Sequence, residues 1–224
     1  MEPTEFKNAT RAQSGFLTPV ERKVLKWLAR RTPLWIRPDH LTLIGFVAMF
    51  LAGVFYGLSR WDARFLHGVN FWLLINWLGD SLDGTLARYR NKQRPRYGFY
   101  VDHMVDTFGT FFLIGGLAFS GYMSERIAFG VLVVYFMLAI QVYLATYTLG
   151  TFQLSFWKLS PTELRLLLVL GNLILLLSPH AQIYDRTYLL YDVGGVIGIA
   201  GMAWTLITSS IRNTKILYDL EQVS

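Results

Sequence analysis

Asp80 and Asp83 lie three residues apart, and Asp102 and Asp106 lie four apart. Both spacings put a pair of carboxylates on one face of a helix. Apolar runs flank both pairs, and charge beside hydrocarbon is costly. Four anions at one spot also repel each other. A bound divalent cation removes that conflict. All-oxygen ligands suit a hard ion, Mg²⁺ or Mn²⁺, over Zn²⁺, and one or two ions fit such a cluster. Gly84 and Ala87 leave room beside the backbone, and Gly98 allows close packing where the second aspartate pair begins. Arg88 suits a phosphate. Together these residues suggest a pyrophosphate substrate, because phosphoryl transfer needs mainly positioning and charge neutralisation. The plainer alternative is ion pairing with Arg90, Lys92, Arg94 and Arg96. One aspartate fits that alternative; four at helical spacing beside glycines do not. Taken singly, Gly84 or Gly98 reads as helix packing and Arg88 as a boundary residue reaching for water.

The elements that must position these groups are long apolar stretches. The chain has 224 residues, 53% hydrophobic and 16% charged. Soluble domains run nearer ~25% charged, so the class is an all-α integral membrane protein. Six spanning segments are expected near 41–59, 67–88, 98–121, 127–149, 162–178 and 189–211. An amphipathic surface helix at 18–31 precedes them. There Thr18, Pro19 and Glu21 form a capping box, with Leu17, Val20, Val24, Leu25 and Leu28 on one face and Lys23, Lys26 and Arg30 on another. That pattern fits a helix lying on an anionic membrane surface; packing on the protein is the alternative. Residues 1–17 are polar, show no cleavable signal, and read as a mobile N-terminus. One domain, 1–224, accounts for the chain. No cysteine is present, so thiolate and disulfide chemistry are excluded.

Orientation follows from Lys and Arg. With the N-terminus inside, seventeen of them fall on the inner side and four on the outer. Both termini and the aspartate loop are then cytoplasmic. The net charge of +6 reflects this asymmetry and not nucleic-acid binding. Trp35, Trp61, Trp72, Trp77 and Trp157 fit interfacial belts. Gly194, Gly198 and Gly201 give the spacing of a close helix contact, within or between protomers.

The aspartate stretch resembles the signature of the CDP-alcohol phosphotransferase family. Asp80, Asp83, Gly84, Ala87 and Arg88, then nine residues, then Gly98, Asp102 and Asp106 match its spacing over 27 residues. The resemblance implies a membrane enzyme of phospholipid synthesis. A CDP-linked donor binds through metal, an acceptor hydroxyl attacks the phosphorus distal to the cytidine, and CMP leaves. Carried over by position, Asp80, Asp83 and Asp102 hold metal, while Asp106 is metal ligand and general base. Asp83, Gly84 and Arg88 contact the CDP moiety. The run "RPDHLTLIG" is similar to the family's opening of segment one, which adds Thr42 and Gly45 to the nucleotide pocket. Asp39 stands there in place of the usual asparagine, and a helix N-cap explains it.

His103, directly after Asp102, resembles the choline and ethanolamine phosphotransferase branch, where a histidine is proposed as base. His103 lies about 100° round the helix from Asp102 and also fits a lining role. Glu163 resembles a Thr-Glu run of that branch, although a capping box from Ser160 explains it locally. Lys158, Arg165, Arg212 and Lys215 are candidates for an anionic acceptor; as boundary cations they need no such role. The primary expectation is CDP-diacylglycerol as donor and a small polar alcohol as acceptor. The alternative is a CDP-choline-type donor with diacylglycerol as acceptor. A remote alternative is a cation or proton transporter with buried carboxylates. The resemblance also implies a homodimer among membrane lipids, and a bacterial or archaeal inner membrane is favoured over the endoplasmic reticulum.

Overall fold

The computed structural model describes residues 10–12, 18–153 and 161–221. Seven helices carry the described chain: α1 (Thr18–Arg31), α2 (Pro38–Leu58), α3 (Phe65–Tyr89), α4 (Pro95–Ser120), α5 (Glu125–Leu149), α6 (Pro161–Leu177) and α7 (Leu190–Leu220). The expected all-α class holds. Each expected segment corresponds to one of α2–α7, with ends shifted by up to three residues except at α7, which runs nine further. Three helices, α2, α5 and α7, are long and apolar enough to cross a membrane. Two others, α3 and α4, carry the aspartate pairs along their length, and α6 has 17 residues.

Local sequence explains where the helices begin and end. Pro38 and Pro95 sit in the first turns of α2 and α4, where the missing N–H would be unsatisfied anyway. Gly121 and Gly150 end α4 and α5 with φ of 80° and 67°, a left-handed conformation that glycine adopts without steric cost. Four short strands were not expected. β1 (Thr10–Ala12) pairs in parallel with β2 (Thr151–Gln153). β3 (His180–Ile183) and β4 (Arg186–Leu189) form an antiparallel hairpin between α6 and α7.

Helix α2 is central and packs along α3 and α4. Backbone contact makes this possible. A Cβ on Gly79 would lie 2.6 Å from the Leu41 carbonyl oxygen, and one on Gly116 would lie 1.9 Å from that of Gly53. The small residues thus let α2 touch α3 near one end and α4 near the other. Around Tyr56, Leu66, Val69, Leu73 and Leu117 the side chains are fully buried. Among them runs a neutral polar network. The Tyr56 hydroxyl donates to Asn172 Oδ1 at 2.8 Å, and the Tyr191 hydroxyl bonds the same oxygen at 2.6 Å. Asn172 Nδ2 donates to Asn70 Oδ1 at 2.7 Å. Four helices, α2, α3, α6 and α7, meet there.

The surface helix is anchored more firmly than its amphipathic pattern implies. Leu25 and Ala29 of α1 are buried against Leu41, Leu82 and Leu86, with Leu28 and Trp77 packed alongside. Glu21 caps no box. Its Oε1 accepts from Trp77 Nε1 at 2.9 Å, Ser81 Oγ at 3.1 Å and Thr162 Oγ1 at 2.8 Å. Val20, Val24 and Trp27 remain exposed as a second apolar strip, beside the basic face. So α1 buries one strip on the protein and leaves a second exposed.

Several smaller expectations change. Trp72 packs in the core with Phe55 and Phe71, and Trp77 binds Glu21; only Trp35 and Trp61, 74% and 78% exposed, fit a belt among the described tryptophans named for it. Among the described residues, Gly194, Gly198, Gly201 and Gly98 have nothing within 4 Å of a built Cβ, so none mediates close packing between them. It is Gly195 that α5 approaches, through Ile127. Asp39 is inside the first turn of α2, after Arg37 at the N-cap, and pairs with Arg94. Trp157 and Ser160 lie outside the described residues, as does most of 1–17.

Candidate active site

Helices α2, α3 and α4 enclose a small polar cavity at the end where the aspartates lie. It is lined by Thr42, Gly45 and Met49 from α2, Asn76, Asp80 and Asp83 from α3, and Asp102, Val105 and Asp106 from α4. Its volume is about 10 Å³, room for one water-sized body. The two helical pairs converge as their spacing predicts. All four carboxylates are half-buried.

The close contact of α2 with α3 sets the first wall. A Cβ on Gly45 would stand 3.3 Å from the backbone nitrogen of Asp80. One turn earlier on α2, the Thr42 hydroxyl donates to Asp83 Oδ2 at 2.5 Å. The backbone N–H of Gly84 donates to the other oxygen of Asp83. Asp83 is therefore fixed by two donors. On α4, Asp106 faces the charges of Asp80, Asp102 and Asp83, with Arg165 as the opposing cation.

Arg165 is the component that sequence reasoning placed elsewhere. It comes from α6 and is only 14% exposed. Its Nη2 donates to Asp80 Oδ2 at 2.6 Å, and its Nε donates to Asn76 Oδ1 at 2.7 Å. Asn76 in turn donates to the Gly45 carbonyl at 3.0 Å. Asn76 was not foreseen at all. One signal for it existed: it lies four residues before Asp80, on the same helix face.

The remaining expected residues are placed as follows. Gly84 follows Asp83, and the Arg88 guanidinium folds back over it, 3.4 Å from a built Cβ; Arg88 Nη2 also donates to Thr85 at 3.2 Å. Both stand beside the cavity, with Arg88 exposed. His103 does not line the cavity. Its Nδ1 bonds the Phe99 carbonyl at 2.6 Å, and its ring lies 4.1 Å from that of Phe99 and 4.7 Å from that of Tyr143. Arg212 is exposed on α7 and is not a cavity residue. Lys158 lies outside the described residues. Two loop cations proposed as aspartate partners are engaged elsewhere. Arg90 holds the carbonyls of Thr32, Pro33 and Ile36, and Arg94 pairs with Asp39 and covers the Tyr97 ring.

Among the described residues, no three His, Asp or Glu side chains are gathered around one point as a finished metal cage. The donor set nonetheless fits a hard divalent ion: four carboxylates and a threonine hydroxyl border one ion-sized space. What the arrangement can do chemically is hold such an ion against an anion at the mouth, with Arg88 beside it.

A model of the CDP-alcohol phosphatidyltransferase family matches residues 35–208. The chain belongs to that family. It is therefore a transferase of substituted phosphate groups and a membrane protein of phospholipid synthesis. The family takes CDP-linked donors and lipid substrates and is generally dependent on a divalent metal. The match spans α2 to α6 and most of α7, so the cavity lies wholly inside it. The transporter reading is set aside.

Proposed function

We propose that this CDP-alcohol phosphatidyltransferase moves a phosphatidyl group from CDP-diacylglycerol to the hydroxyl of a small polar alcohol, with release of CMP. The observation that supports this most is the convergence of Asp80, Asp83, Asp102 and Asp106 with Thr42 on one ion-sized cavity. Such a space takes a cation and not a nucleotide, so the nucleotide lies at the mouth, where Gly84 leaves room and Arg88 offers a fork of donors. Asp80, Asp83, Asp102 and Asp106 would hold Mg²⁺ or Mn²⁺, one ion or two. When bound, such an ion neutralises charge on diphosphate oxygens.

The chain's own groups carry the rest. Thr42 and the Gly84 N–H fix Asp83, and the Asn76–Arg165 pair fixes Asp80. Asp106 accepts the proton of the acceptor hydroxyl as the new O–P bond forms and the bond from phosphorus to the CMP oxygen breaks. Asp106 is preferred to His103 because it lines the cavity, whereas His103 is turned toward Phe99 and Tyr143.

We place six spans at α2–α7, with both termini and the cavity on the cytoplasmic side, on the strength of the Lys and Arg asymmetry. A homodimer fits the outward stripe of Gly194, Gly198 and Gly201. Lys158 and Arg212 remain the acceptor contacts of this reading.

The deciding experiment supplies purified protein and Mn²⁺ with labelled CDP-diacylglycerol or CDP-choline and a panel of acceptors, and measures CMP. CMP release from CDP-diacylglycerol with a small polar alcohol is expected. Release only from CDP-choline with diacylglycerol overturns the donor assignment in favour of the choline-type branch. Cysteines placed in 90–96 and near the C-terminus should be labelled from the cytoplasmic side alone; labelling of the loop from outside reverses the topology.

A further inference from the structure

From the Arg165 contacts we infer that this residue is the internal counter-ion of the aspartate cluster and competes with the divalent cation for Asp80. The inference rests on the reading of the cluster as a cation site. Four carboxylates border one cavity, and the opposing cation comes from a helix outside the aspartate stretch. The guanidinium is held on two edges, by Asp80 at 2.6 Å and by Asn76 at 2.7 Å, and is shielded from water. A shielded charge pair interacts strongly. The pair takes up Asp80 Oδ2, an oxygen of the very carboxylate a cation needs. Asn76 limits retreat of the guanidinium, because its own amide is anchored to the Gly45 carbonyl at 3.0 Å. The arrangement keeps the cluster assembled and at the same time weakens its hold on the ion. An ion held less tightly exchanges faster.

A residue that merely orients Asp80 for the ion predicts the opposite sign: its loss would weaken cation binding. The test therefore measures binding and not turnover. Full-length purified protein is titrated with Mn²⁺, and free ion is quantified by its paramagnetic resonance signal. Arg165→Gln removes the charge and keeps hydrogen-bonding capacity. It should bind Mn²⁺ at least about tenfold more tightly than the wild type, the effect expected for deleting a unit charge about 6 Å from a divalent ion even at the dielectric of water. Arg165→Lys keeps the charge and should stay within about threefold of the wild type, since a point charge replaces the fork. Asn76→Ala, which unpins the guanidinium without changing charge, should tighten binding about threefold. The thermal midpoint gives a second readout: Mn²⁺ should raise that of Arg165→Gln more than that of the wild type. If Arg165→Gln survives purification only with Mn²⁺ present, the same counter-ion role is shown in stronger form. If it fails to fold under both conditions, Asn76→Ala decides, and unchanged or weaker binding there overturns the inference. Equal or weaker binding by a folded Arg165→Gln overturns it as well, while the cation reading stands. No Mn²⁺ binding by the wild type overturns both.

Discussion

Two polar networks run through the bundle, and α6 contributes to both. Arg165 joins the aspartates, and Asn172, seven residues on and so on the same face, joins Tyr56, Tyr191 and Asn70. The Asn172 network is neutral and fully paired: each hydroxyl and amide has a partner, and Tyr56 is 0% exposed. The Arg165 network, among the described residues, sets a guanidinium among four carboxylates that border a space. A satisfied neutral network has nothing left to offer a ligand, so it pins helices together. A charged network with excess anion has its chemistry still to do. Burial and polarity alone do not distinguish a pin from a site; the balance of donors, acceptors and charge does.

The comparison breaks most sharply under chelation. Excess chelator should abolish transfer, and Mg²⁺ or Mn²⁺ should restore it; sustained CMP release in chelator removes the distinction between the two networks. Next comes Asp106→Asn, which should lower kcat by about 10²–10⁴-fold with the elution profile of the folded protein retained. Asn172→Leu should do the reverse. It takes the Asn172 amide from Tyr56, Tyr191 and Asn70 and should cost about 2–4 kcal/mol of stability, read as a lower thermal midpoint, with turnover per folded molecule near wild type. A loss of turnover without a change in midpoint would turn the pin into part of the site. The glycine contacts sharpen the same division. Gly79→Ala forces α3 away from Leu41 and should raise the donor KM about tenfold, because small misplacements of a site are costly. Gly116→Ala forces α4 away from Gly53 and should lower the midpoint while leaving KM close to wild type. The smallest effect is expected for Glu21→Gln, which keeps the shape but gives up charge-assisted bonds; about 1 kcal/mol of stability is at stake.

The cavity was legible because its carboxylates sit on two helices joined by a short loop. Helical spacing is a local property, and Asp80, Asp83, Asp102 and Asp106 could be gathered from it alone. The helix ends were legible for a similar reason: Pro38, Pro95, Gly121 and Gly150 act on their own backbone. What escaped were partners brought by distant elements. Arg165 is 85 residues from Asp80, and nothing in its neighbourhood separates a clamp from a boundary cation. The link between Glu21 and Trp77 went unseen because local rules, capping and interfacial belts, gave a sufficient explanation for each. They bond each other across 56 residues. The β3–β4 hairpin was missed because Tyr184 and Asp185 form its turn, with Tyr184 at φ 52°, where sequences that announce a hairpin carry glycine or asparagine.

Glu21 also carries a consequence for the order in which this protein takes shape. One oxygen of α1 waits for Trp77 and Ser81, 56 and 60 residues later, and for Thr162, 141 residues later. At ribosomal speeds of roughly 5–20 residues per second, that last partner emerges about 7–28 s after the glutamate. Until Trp77, Ser81, Leu82 and Leu86 follow on α3, the groups α1 can offer are its Val20, Val24 and Trp27 strip and its lysines and arginines, a combination that suits a membrane surface. Docking of α1 is thus staged along the chain: its apolar strip closes on α2 and α3 first, and the bond from Thr162 completes the Glu21 site only when α6 arrives.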